Sequence, residues 1–176
     1  MFAADDDKKF ASYPLRQSLL PSAKGLAIFA KRGLVEWLSR PDRYVIVCEG
    51  RGGRIYAANE ASLEEAQQVI KDAYRDEVIS RAPEIYTFVD PRLDALVEPI
   101  MFLRLKSPRG YATALLEELD RRRASIKEEY LQRYHVVIRA EARLADLMGY
   151  SRATLTMTNG SAVIWSWLLR YSINGA

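Results

Sequence analysis

An α+β fold is predicted for this chain, and three features of the sequence predict it. Short β-branched and aromatic runs alternate with segments of helical spacing. Prolines and glycines punctuate the junctions between them. In the second half the segments follow the order strand, helix, strand, strand, helix, strand. That order is the split βαβ, ferredoxin-like plan, an antiparallel four-stranded sheet with two helices on one face and the other face open. A smaller α+β segment is expected in front of it.

The elements follow in chain order. Residues 1–13 carry an acidic then basic run, "DDDKK", without periodicity, and are expected to be a disordered tail. Residues 14–90 form the N-terminal α+β segment. In residues 14–40, Leu15, Leu19, Leu20, Leu26, Ile28, Phe29, Leu34, Val35 and Leu38 recur at helical spacing. Pro21 and Gly33 interrupt them, so short helical pieces are expected. "RYVIVCEG" (43–50) reads as a strand, "RGG" as a turn and "RIYAANE" as the returning strand of a hairpin. "SLEEAQQVIKDAYRDEVI" reads as a helix capped by Ser62, with Glu65 completing a capping box. Leu63, Ala66, Val69, Ile70 and Ala73 make its buried stripe. "PEIYTFVD" (83–90) reads as one strand, and residues 91–97 as a linker.

The C-terminal domain is expected over residues 98–176. "IMFLRLKS" (100–107) places Met101, Leu103 and Leu105 on one face, Arg104 and Lys106 on the other. Residues 108–123 read as a helix with Tyr111, Leu115 and Leu119 inward. "ASIKEEYLQ" and "YHVVIRAEARL" read as the next two strands. The latter turns Tyr134, Val136, Ile138, Ala140 and Ala142 to one side and His135, Arg139, Glu141 and Arg143 to the wetter side. A short helix follows from Ala145, and "SAVIWSWLLRYS" is the last strand.

Composition bounds the function. Of 176 residues, 49% are apolar, enough for a packed core. A net charge of +3 permits contact with nucleic acid without requiring it. One cysteine, Cys48, allows no internal disulfide and points to a reducing, cytoplasmic setting. No stretch reaches the ~18 apolar residues of a membrane helix.

Catalytic chemistry has little to stand on. His135 is the sole histidine, with ion-pairing rather than metal-ligand neighbours. Cys48 sits within an apolar strand as a small hydrophobe. "GRGGR" (50–54) lacks the Lys-Ser/Thr of a phosphate loop. No enzyme activity, metal or cofactor is therefore expected. Arg121, Arg122 and Arg123 close a helix that has Glu117, Glu118 and Asp120 just before them. They either complement the helix dipole or form a phosphate contact, with Lys127 and Arg133 close in sequence. Trp165 and Trp167 alternate with Val163, Leu169 and Tyr171. That apolar row reads as core or a protein interface rather than a platform for bases.

Four consecutive stretches carry a family resemblance. "EPIM", "LDRRRASI", "VIRAEARLADLMGY" and "LTMTNGSA" occur in order between Val97 and Ser172. They resemble the C-terminal domain, domain V, of elongation factor G and related translational GTPases. Where the family has a proline before the second helix, this chain has Arg143. Where the family has arginines around the following turn, it has Thr156 and Ser161. The resemblance implies a ribosome-facing module that meets large-subunit RNA and a stalk-base protein. On that reading Arg121–Arg123 pair with phosphates, and Thr156, Thr158, Asn159, Gly160 and Ser161 supply hydroxyl and backbone contacts. The chain is then a fragment or a stand-alone relative of a translational GTPase. The alternative is a protein-interaction or regulatory module, dimerising through its open sheet face without touching RNA.

Overall fold

The computed structural model of the chain describes residues 9–23, 28–29 and 35–173. It comprises two compact units, Met1–Tyr86 and Thr87–Ala176.

Unit 1 holds strands β1 (Leu15–Pro21), β2 (Tyr44–Glu49), β3 (Gly52–Ala57), β4 (Val78–Ser80) and β5 (Glu84–Ile85), with helix α1 (Glu60–Tyr74) between β3 and β4. The sheet order is β2-β3-β1-β4, with β5 also pairing β1, and every pairing is antiparallel. The helix expected from residue 14 is instead the central strand β1. A strand flanked on both edges and buried on both faces loses the two-residue alternation that marks a strand in sequence. Leu15 and Leu19 fill one face, and Arg16 and Gln17 are buried as well. The Arg16 guanidinium lies 3.5 Å from the Tyr86 ring. Gln17 donates to Arg81 O at 2.6 Å and accepts from Gln67 at 2.9 Å. Further along, Leu26 and Leu34 lie outside the described residues, Phe29 and Val35 are buried, and Glu36–Leu38 forms one short 3-10 turn in place of the expected helical piece.

Part of the expected tail is also ordered. The Phe10 ring stacks on Tyr56 at 4.2 Å, and the Tyr13 hydroxyl donates to Pro41 O at 2.6 Å. Residues 1–8 lie outside the described residues. The expected β2–β3 hairpin forms, with Tyr44 opposite Ala57 and Glu49 opposite Gly52, but its turn is shorter than expected, because Gly52 and Gly53 belong to β3. Helix α1 begins earlier than its expected cap. Asn59 accepts the Ser62 N–H at 2.9 Å, so Asn59 is the N-cap. Ser62 is buried within the first turn, and Glu65 instead receives Arg40 and Arg43 at 2.7 and 2.6 Å. Leu63, Ala66 and Ile70 face the core; Val69 is half-buried and Ala73 exposed.

The stretch read as one strand over residues 83–90 is two. β5 completes the sheet of unit 1, while β6 (Phe88–Asp90) pairs with β7 (Ala95–Pro108) in unit 2. The expected linker at 91–97 is therefore a hairpin turn plus the first residues of β7. Asp90 fastens that turn by accepting the Arg92 N–H at 2.8 Å.

Unit 2 continues with α2 (Ala112–Arg121), β8 (Ser125–Leu131), β9 (His135–Arg143), α3 (Leu144–Leu147), α4 (Tyr150–Met157) and β10 (Val163–Ile173). Its sheet order is β10-β7-β9-β8, all antiparallel. This is the ferredoxin-like arrangement predicted from the element order. Met101, Leu103 and Leu105 of β7 and Val136, Ile138 and Ala140 of β9 form the buried side with Leu115 and Leu119 of α2. Tyr134, expected inward, precedes β9 and is 66% exposed.

Candidate nucleic-acid interface

Helix α2 is amphipathic and stops at its arginines. Arg123 takes a left-handed conformation (φ +57°), with its N–H donating to Asp120 O at 2.8 Å. The Ala124 N–H returns to Leu119 O at 2.9 Å, which satisfies the terminal carbonyls. The three arginines then have different fates. Arg121 is 68% exposed and pairs with Glu118 at 3.0 Å. Arg123 is exposed and makes no ion pair among the described residues. Arg122 turns inward. Its Nε donates to Glu118 at 2.7 Å, and its Nη1 donates to Asp146 O and Met148 O, both at 2.9 Å. The guanidinium also lies 5.4 Å from the Tyr150 ring. Arg122 thus ties α2 to the α3–α4 turn, and its fork is committed there rather than to a phosphate. The expected triplet reduces to Arg121 and Arg123.

The loop after α4 divides in the same way. Thr158 is fully buried. Its hydroxyl donates to Thr154 O at 2.8 Å and accepts the Ala162 N–H at 3.2 Å. It fastens the turn and reaches no partner outside. Asn159 and Gly160 both have positive φ, which points the loop outward, and Ser161 donates to Thr158 O at 2.5 Å. Thr156, Asn159, Gly160 and Ser161 are exposed.

These two groups do not form one site. Arg122 bonds the residues just before α4, whereas Asn159, just after α4, lies 3.5 Å from the Tyr111 hydroxyl at the start of α2. The two helices run antiparallel, and ten residues of α2 separate the groups by about 15 Å. The loop has a different basic neighbourhood. The Arg109 N–H donates to Tyr134 O at 3.0 Å, which brings Arg109 beside Arg133 and Tyr134 at the β8–β9 turn. Both arginines are exposed and carry no ion pair among the described residues. Arg133, close to the triplet in sequence, is carried to the loop end by β8. Lys127 pairs with Glu141 at 3.7 Å on the sheet. Arg109 has no periodic or motif signal; only the register of Pro108 opposite His135 places it there.

The tryptophans are not core. Trp165 is 43% and Trp167 45% exposed, on the sheet face away from the helices. A bulge at residue 169 ends their row, because it returns Tyr171 to the covered side, where its ring meets Phe88 at 5.0 Å. Across the strands, Trp167 faces Phe102 and Trp165 faces Arg104. Among the described residues no group of three His, Cys, Asp or Glu side chains could hold a metal, and no helix is long and apolar enough to cross a membrane.

Tyr150, against Arg122, gives the domain a pH signature. Burial pushes its pKa up to about 12, with the Thr154 hydroxyl partly opposing and Glu118 adding to the rise. The folded domain therefore keeps a proton that the unfolded chain gives up near its ordinary value of 10. The stability this provides is complete below pH 10 and is lost as pH rises to about 12. Between pH 8 and pH 11 the wild type should lose about 1.4 kcal/mol more stability than Tyr150→Phe in urea titrations, because only the wild type carries the tyrosine whose unfolded form ionises near pH 10. Identical pH profiles in the two proteins would show that Tyr150 does not titrate abnormally.

The topology defines the second unit as an open-faced ferredoxin-like domain. Residues 95–174 match the family model described as elongation factor G C-terminus, which upholds the resemblance seen in the motifs for this half of the chain. The mitochondrial ribosome-releasing factor 2 of Bos taurus is 34% identical over 76 residues, 43% of this chain and 10% of that protein. Elongation factor G 2 of Vibrio cholerae is 29% identical over 90 residues, 51% of this chain and 11% of that protein. The chain thus spans about a tenth of the length of the curated relatives it matches. A crystal structure of a Thermus thermophilus protein shares the fold with a TM-score of 0.61 at 14% identity, covering 89% of this chain and 40% of that one.

Proposed function

We propose that the second unit is a ribosome-contacting module of a translation factor, cytoplasmic and without a catalytic step of its own. The match of residues 95–174 to the elongation factor G C-terminus carries this reading. Its contact surface is the end of the domain built from Thr156, Asn159, Gly160 and Ser161 with Arg109 and Arg133. The family's loop arginines are Thr156 and Ser161 here, and Arg109 and Arg133 supply two guanidiniums at the same end from other elements. Guanidiniums there suit bidentate contacts to RNA phosphates, and the outward turn offers backbone and hydroxyl groups. Arg121 and Arg123, at the opposite end, are the secondary candidates. No phosphate loop occurs in this stretch of sequence, so nucleotide hydrolysis is not assigned to it.

The chain should cosediment with large ribosomal subunits at low salt, with an affinity that falls linearly on a log–log salt plot. Absence of cosedimentation at low salt, with the protein shown to be folded, would refute this reading.

A further inference from the structure

We infer that the open sheet face of unit 2 is a second nucleic-acid site, one that takes single-stranded RNA by base stacking. The inference concerns a surface other than the one assigned above and stands independently of ribosome binding. Val163, Trp165 and Trp167 of β10 face Lys106, Arg104 and Phe102 of β7 in register. The Phe102 and Trp167 rings lie 4.8 Å apart, and the Arg104 guanidinium lies 5.2 Å from the Trp165 ring. On the next strands, Tyr130 faces Val137 and lies 5.6 Å from Arg139. Successive positions on one face of a strand are about 7 Å apart, so Trp165 and Trp167 offer two separate rings along the edge.

Charge decides which occupant fits. Arg139 is paired with Glu128, and Glu141 receives Arg170 at 2.9 Å and Lys127 at 3.7 Å. Arg104 and Lys106 have no carboxylate among the described residues. They lie directly beside the exposed tryptophans and Val163. A second copy docking through this face would bring these unneutralised cations together around its centre, which opposes the dimer considered from sequence. An apolar protein surface would bury them without partners. A ligand carrying both π-faces and phosphates satisfies rings and cations together, the combination found where proteins bind single strands without sequence preference. The ribonucleoprotein signature is absent, so recognition by stacking predicts little base preference.

The test uses the full chain and an oligouridylate of about ten nucleotides, within the site sizes of such platforms. The single strand should quench tryptophan emission. Trp165→Ala/Trp167→Ala should weaken binding at least tenfold by fluorescence anisotropy of a labelled oligomer. Trp165→Phe/Trp167→Phe should retain most of it, which separates loss of stacking from loss of fold. Arg104→Ala/Lys106→Ala should flatten the salt dependence. Equal affinity for a duplex of the same length, or tryptophan variants that bind as wild type, would overturn the inference. A concentration-dependent dimer in sedimentation abolished by Trp167→Ala, without oligomer binding, would assign the face to protein instead.

Discussion

Arg122→Ala should destabilise unit 2 by about 3 kcal/mol, far more than either neighbouring arginine. The substitution removes one charged bond to Glu118 and two bonds to the carbonyls of Asp146 and Met148. Those carbonyls close the α3–α4 turn, so their loss loosens the seat of α4 as well as the end of α2. Arg121→Ala and Arg123→Ala should each stay within about 0.5 kcal/mol of wild type, because exposed ion pairs and solvated cations contribute little. Urea unfolding of the three variants measures the difference. Comparable small effects at all three positions would show that Arg122 is not a structural tie. The distinction matters for any binding experiment: a variant lacking all three arginines would lose function by loosening the domain.

Gly52→Ala should have a similarly large effect in unit 1, about 2–4 kcal/mol. Both Gly52 and Gly53 are buried within β3, not in the preceding turn. A Cβ on Gly52 would stand 2.5 Å from the Leu19 carbonyl oxygen of β1. One on Gly53 would stand 2.8 Å from the Phe29 ring. The obstacle at Gly52 is backbone of the central strand, which cannot swing aside as a side chain can. Separation of β1 from β3, or a shift of the whole strand, is the remaining response. Wild-type stability in Gly52→Ala, measured by thermal unfolding, would show that the two strands are further apart than described.

The C-terminal fold was legible because each of its signals is local. β7 and β9 are each exposed on one face, so their apolar and charged residues alternate, and α2 has a single apolar stripe. The N-terminal unit was less legible where β1 is concerned. Leu15 and Leu19 lie four apart, as on a helix, and Arg16 and Gln17 between them are buried polar groups whose partners, Tyr86, Arg81 and Gln67, are remote in sequence. Tertiary pairing overrode local pattern there. The unit boundary was misplaced for a related reason. The prolines after residue 90 suggested a linker, but Pro91 sits in a hairpin turn and Pro99 is part of β7.

The candidate site was partly legible. The exposed loop Asn159-Gly160-Ser161 could be read from its turn residues, and the resemblance to elongation factor G gave it meaning. The separate fates of three consecutive arginines could not be read, because which one turns inward depends on the α3–α4 turn 24 to 26 residues away. Arg109 was missed since its neighbours at the loop end come from across the sheet. The bulge near Leu169 was likewise hidden; it divides an apparently uniform apolar row into exposed tryptophans and a covered tyrosine.

Cosedimentation with large ribosomal subunits tests the central claim most directly when two double variants are compared at one low salt concentration. Arg109→Ala/Arg133→Ala should bind at least tenfold more weakly than wild type and lose between one and two units of log–log salt slope, about 0.9 per phosphate contact removed. Arg121→Ala/Arg123→Ala should bind within about threefold of wild type, as expected for cations remote from the contact. The reverse ranking, with the α2 arginines dominant and Arg109 and Arg133 silent, would contradict the placement of the ribosome contact at the loop end.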